Sequence, residues 1–364
     1  MLVLHDTTEL DYTGLRSIAD LGSIGSNLGR GYLCHNSLAY DPQKREVLGL
    51  ANQILHVREL VGRQEAVADK RARTNRESRL WTKAVAAIGA TPTDRQWIHV
   101  AAGSRFVIRG NGTRLVQPGH ESPRPSQTLH DYALSLPTTG AKAVAIRARA
   151  GQREREATVG VAFSPVLVMP PHVRRGDYEK RPLRLWLVVV REKNPPKGCE
   201  PLGWLLLTNV PTTNEPQAWE RTKWYECRWV IEEFHKGQKT GCGIEDLQFT
   251  SAPALQPMIA LLSVVAVTLL NLREAARDKT KADRPATEYV DRRYVEVLAG
   301  WRYQKPRPKM TVKEFYLALA RLGGHQNRKH DHPPGWIVLW RGWMALQHML
   351  NGAAAIAIKF RGET

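Results

Sequence analysis

Apolar and polar positions alternate in a rhythm that changes along the chain. Residues 1–5 (MLVLH) form a short apolar run that stops at Asp6, which puts Asp6 at the end of a first strand. Strand-like runs follow at 31–39 and 48–58, and Gly22, Gly25, Gly29 and Gly31 mark the turn before them. Residues 76–89 (RESRLWTKAVAAIG) have helical spacing, while 97–101 (WIHVA) and 105–109 (RFVIR) are two strand candidates. From about 111 to 212 the chain is rich in β-branched residues, Gly and Pro, with strand-like runs at 142–149, 157–169, 183–191 and 203–210, and it looks like an all-β region. After Pro216 the period becomes helical, over 217–240, 254–276, 287–299, 311–322 and 336–357. An α/β start, a β middle and an α end predict an α/β protein with a β domain inserted into a mixed core. The boundaries fall at 1–110, 111–215, 216–280 and 281–364.

Composition narrows the class. The 364 residues are 42% hydrophobic and 24% charged, enough for a sizeable core and for two or three sub-domains. The longest apolar run, Met258 to Leu270, is shorter than the ~20 residues a membrane span needs, so it predicts a buried core helix and no membrane partner. The opening MLVLHDTTELD reaches charge too soon for a signal peptide, and Cys34, Cys199, Cys227 and Cys242 form no CxxC pair. Both point to free thiols in a reducing cytoplasm. Lys and Arg exceed Asp and Glu by 53 to 35, a net charge of +18, and such an excess favours a polyanionic partner, above all nucleic acid. A basic surface with no dedicated partner is the plainer reading of the same number. The glycines at 22–31 do not fit a phosphate-loop spacing, and HQNRKHDHPPGW, with His325, His330 and His332, reads as a solvated basic loop rather than a metal site.

The segment YECRWVIEEFHKGQKTGCGIE, residues 225–245, carries the most chemistry. On a continuous helix, at ~100° per residue, Tyr225, Arg228, Glu232, Lys236 and Lys239 share one polar stripe. Cys227, Val230, Ile231 and Phe234 form the opposite, apolar face. A lone Glu among cations is ordinarily a solvated salt-bridge stripe. The other reading is a carboxylate that holds a divalent cation while Tyr, Arg and Lys grip phosphate oxygens, the set a metal-dependent phosphoryl transfer needs.

The spacing Tyr225-x2-Arg228-x3-Glu232-x6-Lys239 resembles the Y-R-E-K signature of bacterial insertion-sequence transposases of the DDE superfamily, in the insertion sequence four family. HDTTELDYTG around Asp6 looks like that family's first acidic motif, and GSIGSNLGRGYLCHNSLAYD with VLGLANQILHVRE looks like its following hairpin. GWLLLTNVP, PMIALLSVVAVTLLNLRE and PGWIVLWRGWMALQHM also have family character, so the likeness covers most of the chain. The resemblance implies a ribonuclease-H-like core with an inserted β domain and a C-terminal helical region. It implies a DDE triad holding Mg²⁺ or Mn²⁺, with Asp6 as first acid and Glu232 as third. Tyr225, Arg228 and Lys239 would hold transposon-end DNA, and the basic stripe itself adds Lys236 as a DNA contact. Trp204 would stack a flipped base, with burial in the β domain as the equal alternative. The partners implied are transposon-end and target DNA and a second copy paired through the C-terminal helices.

The sequence also departs from the family. The second acid is expected after the fourth strand, but WIHVA runs through Ala102, Gly103 and Ser104 straight into RFVIR, some twenty residues short by comparison with the family. A parallel crossover needs about a dozen residues, so the sheet must change locally or one strand must be displaced. Asp94 lies before the strand, ~20 Å from its far end, too distant to replace the missing acid. Only five residues precede Asp6, where the family carries a DNA-recognition domain, and end recognition is expected to be impaired. The expected function is DNA cleavage and strand transfer at insertion-sequence ends, catalytically impaired. The alternatives are an inactive remnant that binds DNA or intact transposase and inhibits transposition, and a basic nucleic-acid-binding protein without metal chemistry.

Overall fold

The computed structural model describes residues 1–25, 29–58, 75–92, 96–100, 105–120, 125–146, 154–170 and 181–361. The chain is mixed α/β with two sheets and divides into two compact units. The first unit holds Met1–His5 and Val61–Trp229, and the second holds Asp6–Leu60 and Val230–Thr364. The junction at 101–104, read from the sequence as the place of a missing acid, and Asp94 both lie outside the described residues.

Strand β1 (Leu2–Asp11) starts in the first unit and from Asp6 belongs to the second, and it lies beside β3 (Gly29–Asp41), which pairs antiparallel with β2 (Gly22–Ile24) and with β4 (Glu46–His56). β1 was expected to end at Asp6, yet it runs five residues further. The apolar run stops at Asp6, but backbone pairing does not need apolar side chains: Thr7, Thr8 and Glu9 continue the strand half-buried. Gly31 admits the neighbouring strand, since a Cβ there would lie 1.8 Å from the Leu10 carbonyl oxygen.

The first unit is built on an antiparallel sheet. Its described strands are β6 (Val107–Arg109), β7 (Leu115–Pro118), β8 (Gln127–Thr128), β9 (Thr139–Ile146), β10 (Arg155–Val168), β11 (Leu183–Glu192) and β12 (Gly203–Thr208). They run in the order β6-β12-β11-β10-β7-β8, with β9 also on β10. The region expected to be all-β contains a helix, which the β-branched composition hid. After α1 (Leu80–Ile88), α2 (Leu129–Ser135) starts at a Thr128 cap that accepts the Asp131 N–H, and it buries Leu129, Tyr132 and Ala133 against Val166, Leu187 and Leu207. β5 (Ile98–Val100) runs parallel to Leu2–Leu4. Beyond it a single parallel bridge joins His99 to Phe106, and the chain then passes into β6, which pairs with β12. The strand candidate at 105–109 thus belongs to the antiparallel sheet.

Helices complete both units. α3 (Glu215–Glu226) is capped by Asn214, which accepts the Gln217 N–H, and α4 (Trp229–Lys236) follows it. α5 (Ala252–Arg277), α6 (Arg292–Tyr303), α7 (Val312–Leu322) and α8 (Trp336–Arg361) close the second unit. α5 is twice as long as its apolar run and is, among the described residues, the helix long and apolar enough to cross a membrane. Within the unit it serves as a core helix. Leu255, Ile259, Ala266, Leu269 and Leu270 are buried, and Asn271 bonds both the N–H and the carbonyl of Val47 on β4. α7 and α8 cross closely because Gly323 and Gly342 face each other's backbone.

Candidate functional site

Glu232 stands on α4, half-buried, on an eight-residue helix that buries Ile231, Phe234 and His235. The expected continuous helix over 217–240 is interrupted. Cys227 and Arg228 form a turn between α3 and α4, and Gly237–Gly241 widens into a π-turn. A single wheel of constant pitch therefore does not apply. Tyr225 lies on α3, Arg228 in the turn, Glu232 and Lys236 on α4, and Lys239 in the π-turn. The π-turn has a packing cause: the Trp336 ring sits against Gly237 and Gly241, where a Cβ would come within 3.0 and 3.4 Å of it. The wider turn puts Gln238 wholly inside and leaves Lys239 half-buried.

Asp6 reaches the same side of the sheet as α4. The Tyr12 N–H donates to the Arg30 carbonyl at 2.8 Å, and Thr7 Oγ1 lies 2.8 Å from His35 Nδ1, so β1 and β3 are antiparallel neighbours with Thr7 and His35 on one face. Side chains alternate along a strand, so Asp6 and Asn36, one residue away on each strand, share the other face. Asp6 is half-buried and its Oδ1 accepts the Thr7 N–H at 3.0 Å.

Asn36 is fully buried and joins the strand to the helix. Its Nδ2 donates to His235 Nε2 at 3.2 Å and to Gln238 Oε1 at 3.3 Å, while its Oδ1 accepts from Gln53 Nε2 at 2.8 Å. Gln53 and Gln238 both donate to Ser263 Oγ on α5 at 2.8 Å, and Ser263 donates on to the Ile259 carbonyl. Five polar side chains from two strands, α4, the π-turn and α5 are thereby satisfied in one buried network. His235 follows Glu232 by three residues, so the two project from nearly the same side of α4. The sequence reading missed Asn36, Gln53, His235, Gln238 and Ser263. The available signal was a His and a Gln at core positions of a helix flanked by charge.

The cations are held by acids. Lys236 pairs with Glu233 at 2.8 Å, and Arg273 pairs with the same carboxylate at 2.6 Å. Burial would raise the Glu233 pKa, but these two cations outweigh it and hold it below the ordinary carboxylate range. Lys239 pairs with Glu245 at 3.1 Å, and the same Glu245 oxygen accepts the Asp11 N–H. Burial pushes the Cys34 thiol up to about 12 and the His35 imidazole down to about 4, so both are neutral at pH 7. In the first unit, Trp204 on β12 meets Tyr225 edge-on at 5.8 Å, and both are half-buried. There too, His5 Nε2 lies 2.9 Å from His99 Nδ1 in a buried pair beside Trp81.

Asp6 and Glu232 are hard oxygen donors, which suits Mg²⁺ or Mn²⁺. Among the described residues no group of three His, Cys, Asp or Glu is arranged around one point to hold a metal ion. No protein-family model matches the chain.

Proposed function

We propose that the chain is a DDE-type insertion-sequence transposase by descent, with a ribonuclease-H-like core and with Asp6 and Glu232 as its surviving acids. The observation that carries this reading is the placement of Asp6 beside Asn36 on one sheet face, with Asn36 bonded to His235 one turn from Glu232. Asp6 and Glu232 would hold one Mg²⁺ or Mn²⁺, which when bound supplies Lewis-acid stabilisation of a phosphate oxygen. In the second unit Lys239 would meet a phosphate oxygen; in the first unit Arg228 would do the same, and Trp204 with Tyr225 would offer an aromatic face to a base.

Catalysis is impaired in this reading. Between Val100 and Arg105 lie four residues, and the Arg105 carbonyl already accepts the His99 N–H, so the chain has no length there for an acid-bearing helix. The same observation favours a second reading, an inactive remnant that binds DNA or intact transposase. The test is Mn²⁺ titration followed by electron paramagnetic resonance on the native chain, Asp6→Asn and Glu232→Gln, with cleavage of DNA carrying the element's ends. One site lost in both variants, with slow or no cleavage, is expected. Mn²⁺ affinity indifferent to both acids would overturn the site. Efficient Glu232-dependent cleavage would overturn the impairment, because losing a preorganised electrostatic group ordinarily costs ~10²–10³ in rate.

A further inference from the structure

The turn between β3 and β4 and the segment after α5 enclose a cleft of about 530 Å³ in the second unit. Its walls carry four cations, Lys44, Arg45, Lys281 and Arg284. A smaller cavity of about 140 Å³ shares Arg45 and Asp278 with it, adds Arg277, and reaches Val230 at the start of α4. The two cavities thus adjoin at Arg45 and Asp278, and the smaller one ends at Val230, about 200° round α4 from Glu232.

The acids of the cleft are already engaged. Glu46 binds Lys281 Nζ at 3.0 Å and accepts the Tyr289 hydroxyl at 3.1 Å. Glu288 pairs with Arg284, and Asp278 accepts the N–H and hydroxyl of Thr280 at 2.8 and 2.6 Å. These contacts hold Asp278 and Glu46 below the ordinary carboxylate range, so they stay ionised as internal anchors. Lys44 and Arg45 project from the exposed turn, and among the described residues neither enters an ion pair. The four cations of the cleft face three acids, Glu46, Asp278 and Glu288, so its positive excess sits at the rim on the exposed Lys44 and Arg45, in a chain of net charge +18.

We propose that this cleft is a second contact for the DNA sugar–phosphate backbone, separate from the Glu232 face of α4, with Lys44 and Arg45 at its mouth meeting phosphate oxygens of the duplex. The proposal rests on the transposase reading for the identity of the polyanion. The test is fluorescence anisotropy of the full chain with duplex DNA carrying the element's ends, between about 50 and 200 mM salt. Lys44→Glu with Arg45→Glu is compared with Arg328→Glu with Lys329→Glu, the same charge change in the exposed loop after α7. Arg228→Glu with Lys239→Glu reports on the Glu232 site, and circular dichroism confirms folding.

The expected result is a salt slope shallower by about 0.9–1.8 in the cleft variant and nearly unchanged in the loop variant. Equal slopes in cleft and loop variants, with a reduced slope in the Arg228 and Lys239 variant, overturn the cleft contact and leave the transposase reading standing. A native chain that does not bind duplex DNA overturns both.

Discussion

Replacing Asn36 by Ala removes the side chain that joins β3 to α4. Its amide donates to His235 and Gln238 and accepts from Gln53, and it is fully buried. After truncation Gln53 Nε2 keeps Ser263, but Gln238 Oε1 and His235 Nε2 lose the Asn36 donor. A buried polar group left without its partner costs ~1–3 kcal/mol, so the loss at Gln238 Oε1 alone should cost about that much of a total stability of ~5–15 kcal/mol. Urea unfolding should show a lower midpoint with an unchanged slope. If Asp6 and Glu232 form the proposed metal site, the same variant would loosen Glu232 relative to Asp6, and Mn²⁺ affinity should fall under conditions where the variant remains folded. Asn36→Asp separates packing from donation. It conserves volume and keeps the acceptor for Gln53, but an ionised carboxylate donates to neither partner, so it should be at least as damaging at pH 7. A cost below about 1 kcal/mol for Asn36→Ala would refute the view that this network holds helix and strand together.

Acid should weaken the fold through its buried histidines. Burial holds His35 down at about 4, and lowers His99 as well, so the unfolded chain, with histidines near 6.5, takes up protons first. Stability is then full above about pH 6.5 and falls as pH drops toward 4, by up to about 3 kcal/mol for His35. Urea midpoints at about pH 7 and about pH 4.5 should differ accordingly, and His35→Gln should flatten the profile; equal midpoints in the native chain would contradict it. Gly342→Ala should cost ~1–3 kcal/mol or more, because its Cβ would lie 2.0 Å from the Leu319 carbonyl oxygen. Gly300→Ala in α6, where a Cβ meets nothing within 4 Å, should instead stabilise by ~0.5–1 kcal/mol, and thermal melts of the two variants should shift in opposite directions.

Much of the secondary structure was legible because burial writes its period into a sequence. The strand-like runs at 157–169 and 183–191 became β10 and β11, and the helical spacing at 311–322 became α7, complete with its Thr311–Glu314 capping box. The sequence was silent where a few local atoms outweigh the period. α2 depends on one Thr128 cap inside a β-rich region, and β1 continues past Asp6 because β3 supplies backbone partners. The polar stripe through Tyr225, Arg228, Glu232, Lys236 and Lys239 assumed a constant helical pitch. The turn at 227–228 and the π-turn at 237–241 break it, the latter because Trp336, about a hundred residues away in sequence, packs on two glycines.

The sequence by itself therefore determined the mixed α/β class, most element positions, the basic charge and the acids worth watching. Those follow from residue-by-residue chemistry and short-range periodicity. Only the tertiary structure decided which residues join the strand beside Asp6 to the helix that carries Glu232. Asn36, His235, Gln238 and Ser263 are far apart in sequence and unremarkable singly, and they become one network because burial makes every unpaired polar atom expensive.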